Sequence, residues 1–191
     1  MKRIVAIEGD YPMRKICLTL FTLSLFAMTA GNPLADDLLP RPELEFLFEL
    51  TATLEPPQEL GKTKYGTRRI INISGGTFSG PKIKGTVLRG GADWQTVRED
   101  GTADLVARYS LKTDDGLIIF VENTGIRTAP RAVLDRLARG EEVPPSEYYM
   151  RTGARMEVEA GSKYDWLNKS VIISTGMRRA NSVVIHFYRV L

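Results

Sequence analysis

Asp100-Gly101-Thr102-Ala103-Asp104-Leu105-Val106-Ala107-Arg108-Tyr109-Ser110-Leu111, closed by Asp114-Asp115-Gly116, decides the fold class. An Asp-Gly pair stands at each end of a run that alternates with a period of two, which reads as a strand between tight turns. Ala103, Leu105, Ala107 and Tyr109 share one face, and Asp104, Val106, Arg108 and Ser110 the other. Working outward, the same grammar repeats. Residues 44–54 alternate, with Leu44, Phe46, Phe48, Leu50, Ala52 and Leu54 on one side, until Pro56-Pro57 stops them. Residues 61–66 read as a loop, 69–74 as a second strand, 75–81 as a glycine-rich break and 82–89 as a third strand.

Downstream, residues 117–123 read as a strand, and one helix follows. Thr128 is placed to cap it, Pro130 suits its first turn, Val133, Leu134 and Leu137 form an apolar stripe, and Gly140 ends it. Extended runs return at 147–159, 170–177 and 182–190. The expected architecture is all-β with one short helix: an antiparallel up-and-down barrel of about eight strands, wide enough for side chains or one small ligand.

The chain has 191 residues, 43% apolar and 26% charged, with a formal net charge of +3. One domain is the natural expectation at this length. Met13-Arg14-Lys15 precedes an almost wholly apolar run over 16–30, the pattern of a secretory signal peptide rather than a membrane span. The expected organisation is a leader over 1–35 (an upstream extension plus the signal) and one barrel domain over 36–191, destined for the periplasm or secretion. Without the leader the net charge falls from +3 to +1, which leaves no electrostatic footprint for nucleic acid. A lipid-embedded barrel is disfavoured because Lys82-Ile83-Lys84 and the charged run 151–159 interrupt any apolar outer band. Residual strand edges are compatible with a homodimer.

The residues also exclude chemistries. Cys17, the single cysteine, lies in the leader, and His186, the single histidine, sits in an alternating strand. Zinc sites and a Ser-His-Asp triad are therefore not expected. Gly75-Gly76-Thr77-Phe78 lacks the Gly-Lys-Ser/Thr of a phosphate loop, and no dinucleotide fingerprint occurs. No metal or organic cofactor is expected. What remains is carboxylate, Tyr, Arg, Asn and Trp near strand ends. Gly90-Gly91-Ala92-Asp93-Trp94 reads as a pocket rim, with Asp93 the candidate catalytic acid or base. Trp94, Arg108, Tyr149, Arg151, Trp166 and Asn168 are the candidate ligand-binding residues. Arg108 is expected to point into the barrel, because Asp104 and Ser110 on its face suit a polar cavity.

In order along the chain, Gly75-Gly76-Thr77-Phe78, Gly90-Gly91-Ala92-Asp93-Trp94, Asp100-Gly101 with Arg108-Tyr109, Asp115-Gly116, Tyr149-Met150-Arg151 and Tyr164-Asp165-Trp166-Leu167-Asn168 resemble a bacterial domain-of-unknown-function family of uncharacterised single-domain barrel proteins. The resemblance runs from about Leu44 to the C-terminus and implies a compact antiparallel barrel. The secretory leader departs from it. Two functions compete. One is an exported soluble barrel that binds a small aromatic or acidic molecule in its interior. The other is a cofactor-independent isomerase, lyase or hydrolase using Asp93, with Arg108, Tyr149 and Asn168 as partners of a developing oxyanion or a carboxylate.

Overall fold

Strands that alternate along their whole length must share one apolar side, and here they do so by curling that side inward. A computed structural model describes residues 39–191; the expected leader over 1–35 lies outside them. The elements are β1 (Leu44–Leu54), β2 (Gln58–Thr63), β3 (Gly66–Ser79), β4 (Lys84–Val87), β5 (Gly91–Val97), β6 (Ala103–Thr113), β7 (Ile118–Thr128), α1 (Arg131–Ala138), β8 (Tyr149–Val158), β9 (Ile172–Arg178) and β10 (Ser182–Val190).

All pairings are antiparallel. β3 leads through β4 and β5 to β6, then β7, β8, β9, β10 and β1, and β1 pairs back onto β3. The ten strands make eight staves, because β1 and β2 run in succession beside one edge of β3, and β4 and β5 beside its other edge. The result is a closed eight-stave antiparallel barrel with one short helix. Closure leaves β1 no free edge. β2 differs: among the described residues it pairs with β3 and with no other strand.

Several local expectations are corrected. Residues 75–81 are no break, since β3 continues through Gly75 and Gly76 to Ser79. A side chain at Gly76 would stand 2.1 Å from the Thr51 carbonyl oxygen, so this glycine lets β1 approach closely. The third strand shortens to β4, and Gly91 opens a strand of its own, β5. Asp93 is therefore a mid-strand residue rather than a rim residue. Residues 61–66 are the end of β2 and a turn into β3, not a loop. Thr128 does not cap α1; its hydroxyl meets that of Thr102 at 3.0 Å, and Pro130 takes the cap position.

The two ends of the barrel are filled differently. One end is solid: Leu47, Phe48, Phe78, Leu111, Ile119 and Phe187 are fully or almost fully buried, and Phe48 lies 4.9 Å from Phe187 and 5.2 Å from Phe78 between ring centroids. Each such side chain contributes about 1.5–3 kcal/mol by leaving water. The 3-10 turn Asp165–Lys169 seals this end with Leu167. At the other end α1 sets Leu137 against Ala103, Leu105 and Met150. That end stays partly open.

Candidate functional site

Strand parity decides which polar side chains enter the lumen. On β3, Arg69 shares its side with Ile71 and Ile73; on β5, Asp93 shares its side with Gln95; on β7, Asn123 and Arg127 follow Ile119 and Val121; on β9, Arg178 follows Ile172 and Ser174. Register puts them close. Asp93 pairs with Ala107 on β6, and Ala107 pairs with Asn123 on β7, so one small side chain separates the carboxylate from the amide. Gly91 makes room below: a side chain there would sit 2.4 Å from Cβ of Tyr109.

Asp93, Gln95, Tyr109, Asn123, Arg127 and Arg178 line an interior cavity of about 50 Å³ with Leu50, Leu54, Leu105, Met150 and Ile185 among its apolar walls, and Arg69 stands just outside it. Asp93 Oδ2 accepts from the Gln95 amide at 2.6 Å, and Asp93 Oδ1 accepts from the Val106 backbone N–H at 3.1 Å. Gln95 in turn accepts from Arg69 Nε at 2.9 Å. Burial pushes the Asp93 carboxyl above its ordinary range, against the pull of those two hydrogen bonds and of the Arg127 and Arg69 charges. Burial, then the Asp93 charge, pushes the Tyr109 hydroxyl up too.

Buried polar atoms normally find partners. Three that line this cavity do not: the Tyr109 hydroxyl, Asn123 Oδ1 and Arg127 Nε. A fourth, Arg189 Nε, lies at the sealed end near Trp166. Arg127 is only 9% exposed. Burial, with the Arg69 and Arg178 charges, brings its guanidinium down to about 10. Arg178 is lowered by burial first and by Arg69 second. Two clefts lead outward from these arginines. One of about 730 Å³ runs between the β2–β3 turn and α1 and is lined by Arg69 and Arg127. The other, about 390 Å³, lies beside Pro57 and the β9–β10 turn and is lined by Arg69, Arg127 and Arg178.

Of the seven side chains expected in the site, Asp93 reaches the cavity and six do not. Arg108 is on the outer face, where its Nε donates to Glu122 at 2.7 Å; Tyr109 is the inward residue of that pair. Arg108 thus points outward, not into the barrel, because Tyr109 is the residue that shares its parity with the buried Ala103 and Leu105 of β6. Trp94 lies outside in a shallow cleft with Asn72 and Arg89. Tyr149 is 49% exposed, and the Arg151 guanidinium stacks 5.1 Å over its ring, also outside. Trp166 packs on the sealed-end core. Asn168 ties Val158 N and O, each at 3.0 Å, to Asp165 at 2.8 Å, which fastens the 3-10 turn. His186 bonds Glu49 on the outer surface at 2.7 Å. Among the described residues no three His, Cys, Asp or Glu side chains converge as a metal site would require.

Gln95, Tyr109, Asn123, Arg69, Arg127 and Arg178 were missed. A sequence signal exists for Arg69, which shares its parity with Ile71 and Ile73, and for Tyr109, which shares its parity with Leu105, Ala107 and Leu111; the mixed parities of β5, β7 and β9 give none for the other four.

The family model for a protein of unknown function (DUF3237) matches residues 42–190. The chain belongs to this family. A UPF0311 protein of Rhodopseudomonas palustris is 40% identical over 152 residues, covering 80% of this chain and 99% of that protein. Its crystal structure superposes with a TM-score of 0.77 at 39% identity, over 80% of this chain and all of that one. The crystal structure of a β-barrel-like protein from Acinetobacter baumannii gives 0.71 at 39% identity, over 80% of this chain and 98% of that one. A Penicillium herquei protein named as a hydroalkoxylation enzyme is 35% identical over 102 residues, covering 53% of this chain and 65% of that protein. The unknown-function barrel family recognised from motifs is thus the family shown.

Proposed function

We propose that this DUF3237 barrel takes one end of a small organic molecule into its lumen and that Asp93 moves a proton on it, with no organic cofactor. The observation that carries this reading is the convergence of a buried carboxyl with three partnerless buried polar atoms on one cavity. A cavity of about 50 Å³ admits a few waters or one substituent, so the bulk of the molecule would rest in the clefts outside. Burial favours the protonated carboxyl, the form a general acid needs.

The reaction class that suits this arrangement is the one in the name of the Penicillium relative, addition of a hydroxyl across a carbon–carbon double bond. The step balances within the substrate. The Asp93 proton goes to one alkene carbon, the substrate's hydroxyl oxygen bonds to the other, and the hydroxyl proton returns to the Asp93 carboxylate. Tyr109 and Asn123 are positioned to orient that oxygen. The reverse elimination would use the same groups.

A carrier without turnover is the second reading, favoured by the largely aliphatic walls. In either case the reading extends to an exported protein in water. The basic-then-apolar segment 13–30 supports export, and the outer ion pairs Arg108–Glu122 and Lys82–Glu45 support an aqueous surrounding. The test uses 2-prenylphenol, whose internal hydroxyl addition gives a chroman. Product formation that falls by roughly 100-fold or more in Asp93→Asn, with binding kept, supports acid catalysis. Binding without product in both proteins replaces the enzyme with the carrier.

A further inference from the structure

We propose that the molecule bound here carries one anionic oxygen group, a carboxylate or phenolate, at the end that stays in the mouth, and that Arg69, Arg127 and Arg178 hold it. This rests on the lumen reading above but on different atoms.

Charge placement is the first argument. On the surface, Arg98, Arg108, Arg131 and Arg136 each hold a carboxylate, where an ion pair contributes little. At the mouth the pattern inverts. Arg69, Arg127 and Arg178 form no ion pair among the described residues. Arg69 donates to Gln95 and Arg178 to the Ser182 and Ala180 carbonyls, while Arg127 Nε has no partner. The acid whose charge reaches Arg127 and Arg178, Asp93, already uses its oxygens to accept from Gln95 and the Val106 N–H. Three guanidinia therefore face one carboxyl that none of them pairs with. A buried guanidinium without a counterion is costly, and a planar anion that it grips in two places removes that cost.

Shape is the second argument. Both clefts converge on Arg69 and Arg127. The larger adds Lys62, Lys64 and Arg131 against Glu99 and Asp135, an excess of positive charge that draws anions in. Directly below lie Leu54, Ile71, Leu105 and Val183. A charged head above apolar walls fits an organic anion with an apolar body; inorganic phosphate would leave those walls unused.

The experiment titrates the full chain with octanoate and 4-nitrophenolate, each beside its neutral twin, octanol and nitrobenzene. Each anion is expected to bind at least about tenfold tighter than its twin. Arg127→Gln is expected to erase that advantage without weakening the twin, since truncating one partner of a buried charge pair costs tenfold or more. Arg127→Lys should recover part of it, and Arg178→Gln carries the same test should Arg127→Gln not fold. Twins that bind equally well, no saturable binding of either anion, phosphate binding as tightly as octanoate, or indifference to both glutamine variants would each overturn the proposal. Asp93→Asn is expected to keep or tighten anion binding, so loss of proton transfer and loss of the anion site are separable results.

Discussion

The sealed half and the open half of this barrel are built from the same eight staves, yet they solve opposite problems. In the sealed half the inward positions are mostly apolar, and Phe48, Phe78 and Phe187 pack ring on ring to fill the lumen between opposite staves. In the open half the inward positions alternate between aliphatic side chains and groups that water would serve better, and three of those groups end without partners. The first half stabilises the fold by burial. The second draws on that stability to hold Asp93, Tyr109, Asn123 and Arg127 where solvent is scarce, the usual relation between a scaffold and a reactive site.

If that contrast holds, substitutions should sort by half. Phe187→Ala should cost about 3–5 kcal/mol in denaturant unfolding, because it empties the centre of the sealed end. Asp93→Asn should act through pH. The raised folded pKa means that, as pH climbs from 3.8, the unfolded chain loses this proton first and the native protein keeps it. Stability from this group is thus present at low pH and lost as pH rises through the folded pKa. The difference between the unfolding curves of Asp93→Asn and the parent should therefore grow over that window and then level. Parallel curves would mean that Asp93 is not desolvated. Tyr109→Phe removes a hydroxyl with no partner, so stability should stay level or rise by up to about 1 kcal/mol. Binding of 2-prenylphenol should nevertheless weaken, and unchanged binding would return Tyr109 to the core. Smallest of all, Arg108→Ala should change stability by no more than about 0.5 kcal/mol and leave binding untouched, since it breaks an exposed pair with Glu122.

How much of this could be read from the chain also divides along physical lines. The barrel was legible because alternation and Asp-Gly turns are local: residues 103–113 and 182–190 show their faces without reference to partners. Gly90-Gly91 and Gly75-Gly76 misled for a shared reason. Glycine marks either a break or a close approach, and only the Thr51 carbonyl beside Gly76 and the Tyr109 side chain beside Gly91 show that approach is meant. Within the site, Asp93 was legible as a carboxylate in an unusual setting. Asp104 and Ser110 make the Arg108 face of β6 look like the lining of a polar lumen, yet Tyr109 lies on the apolar parity of that strand and is the residue that enters. Arg69, Arg127 and Arg178 come from β3, β7 and β9, and their convergence depends on barrel closure, which no single strand announces.

β2 adds a consequence of a different kind. Among the described residues it is hydrogen-bonded to β3 on one side only, whereas β1, just before it on the same stave, is bonded on both. Pro56 and Pro57 separate the two, so the chain can let go of β2 without disturbing β1. Local opening free energies follow such bonding. Amides of β2 should therefore trade hydrogen for deuterium well before those of β1, and the rim over the arginines should be the first part of the barrel to breathe.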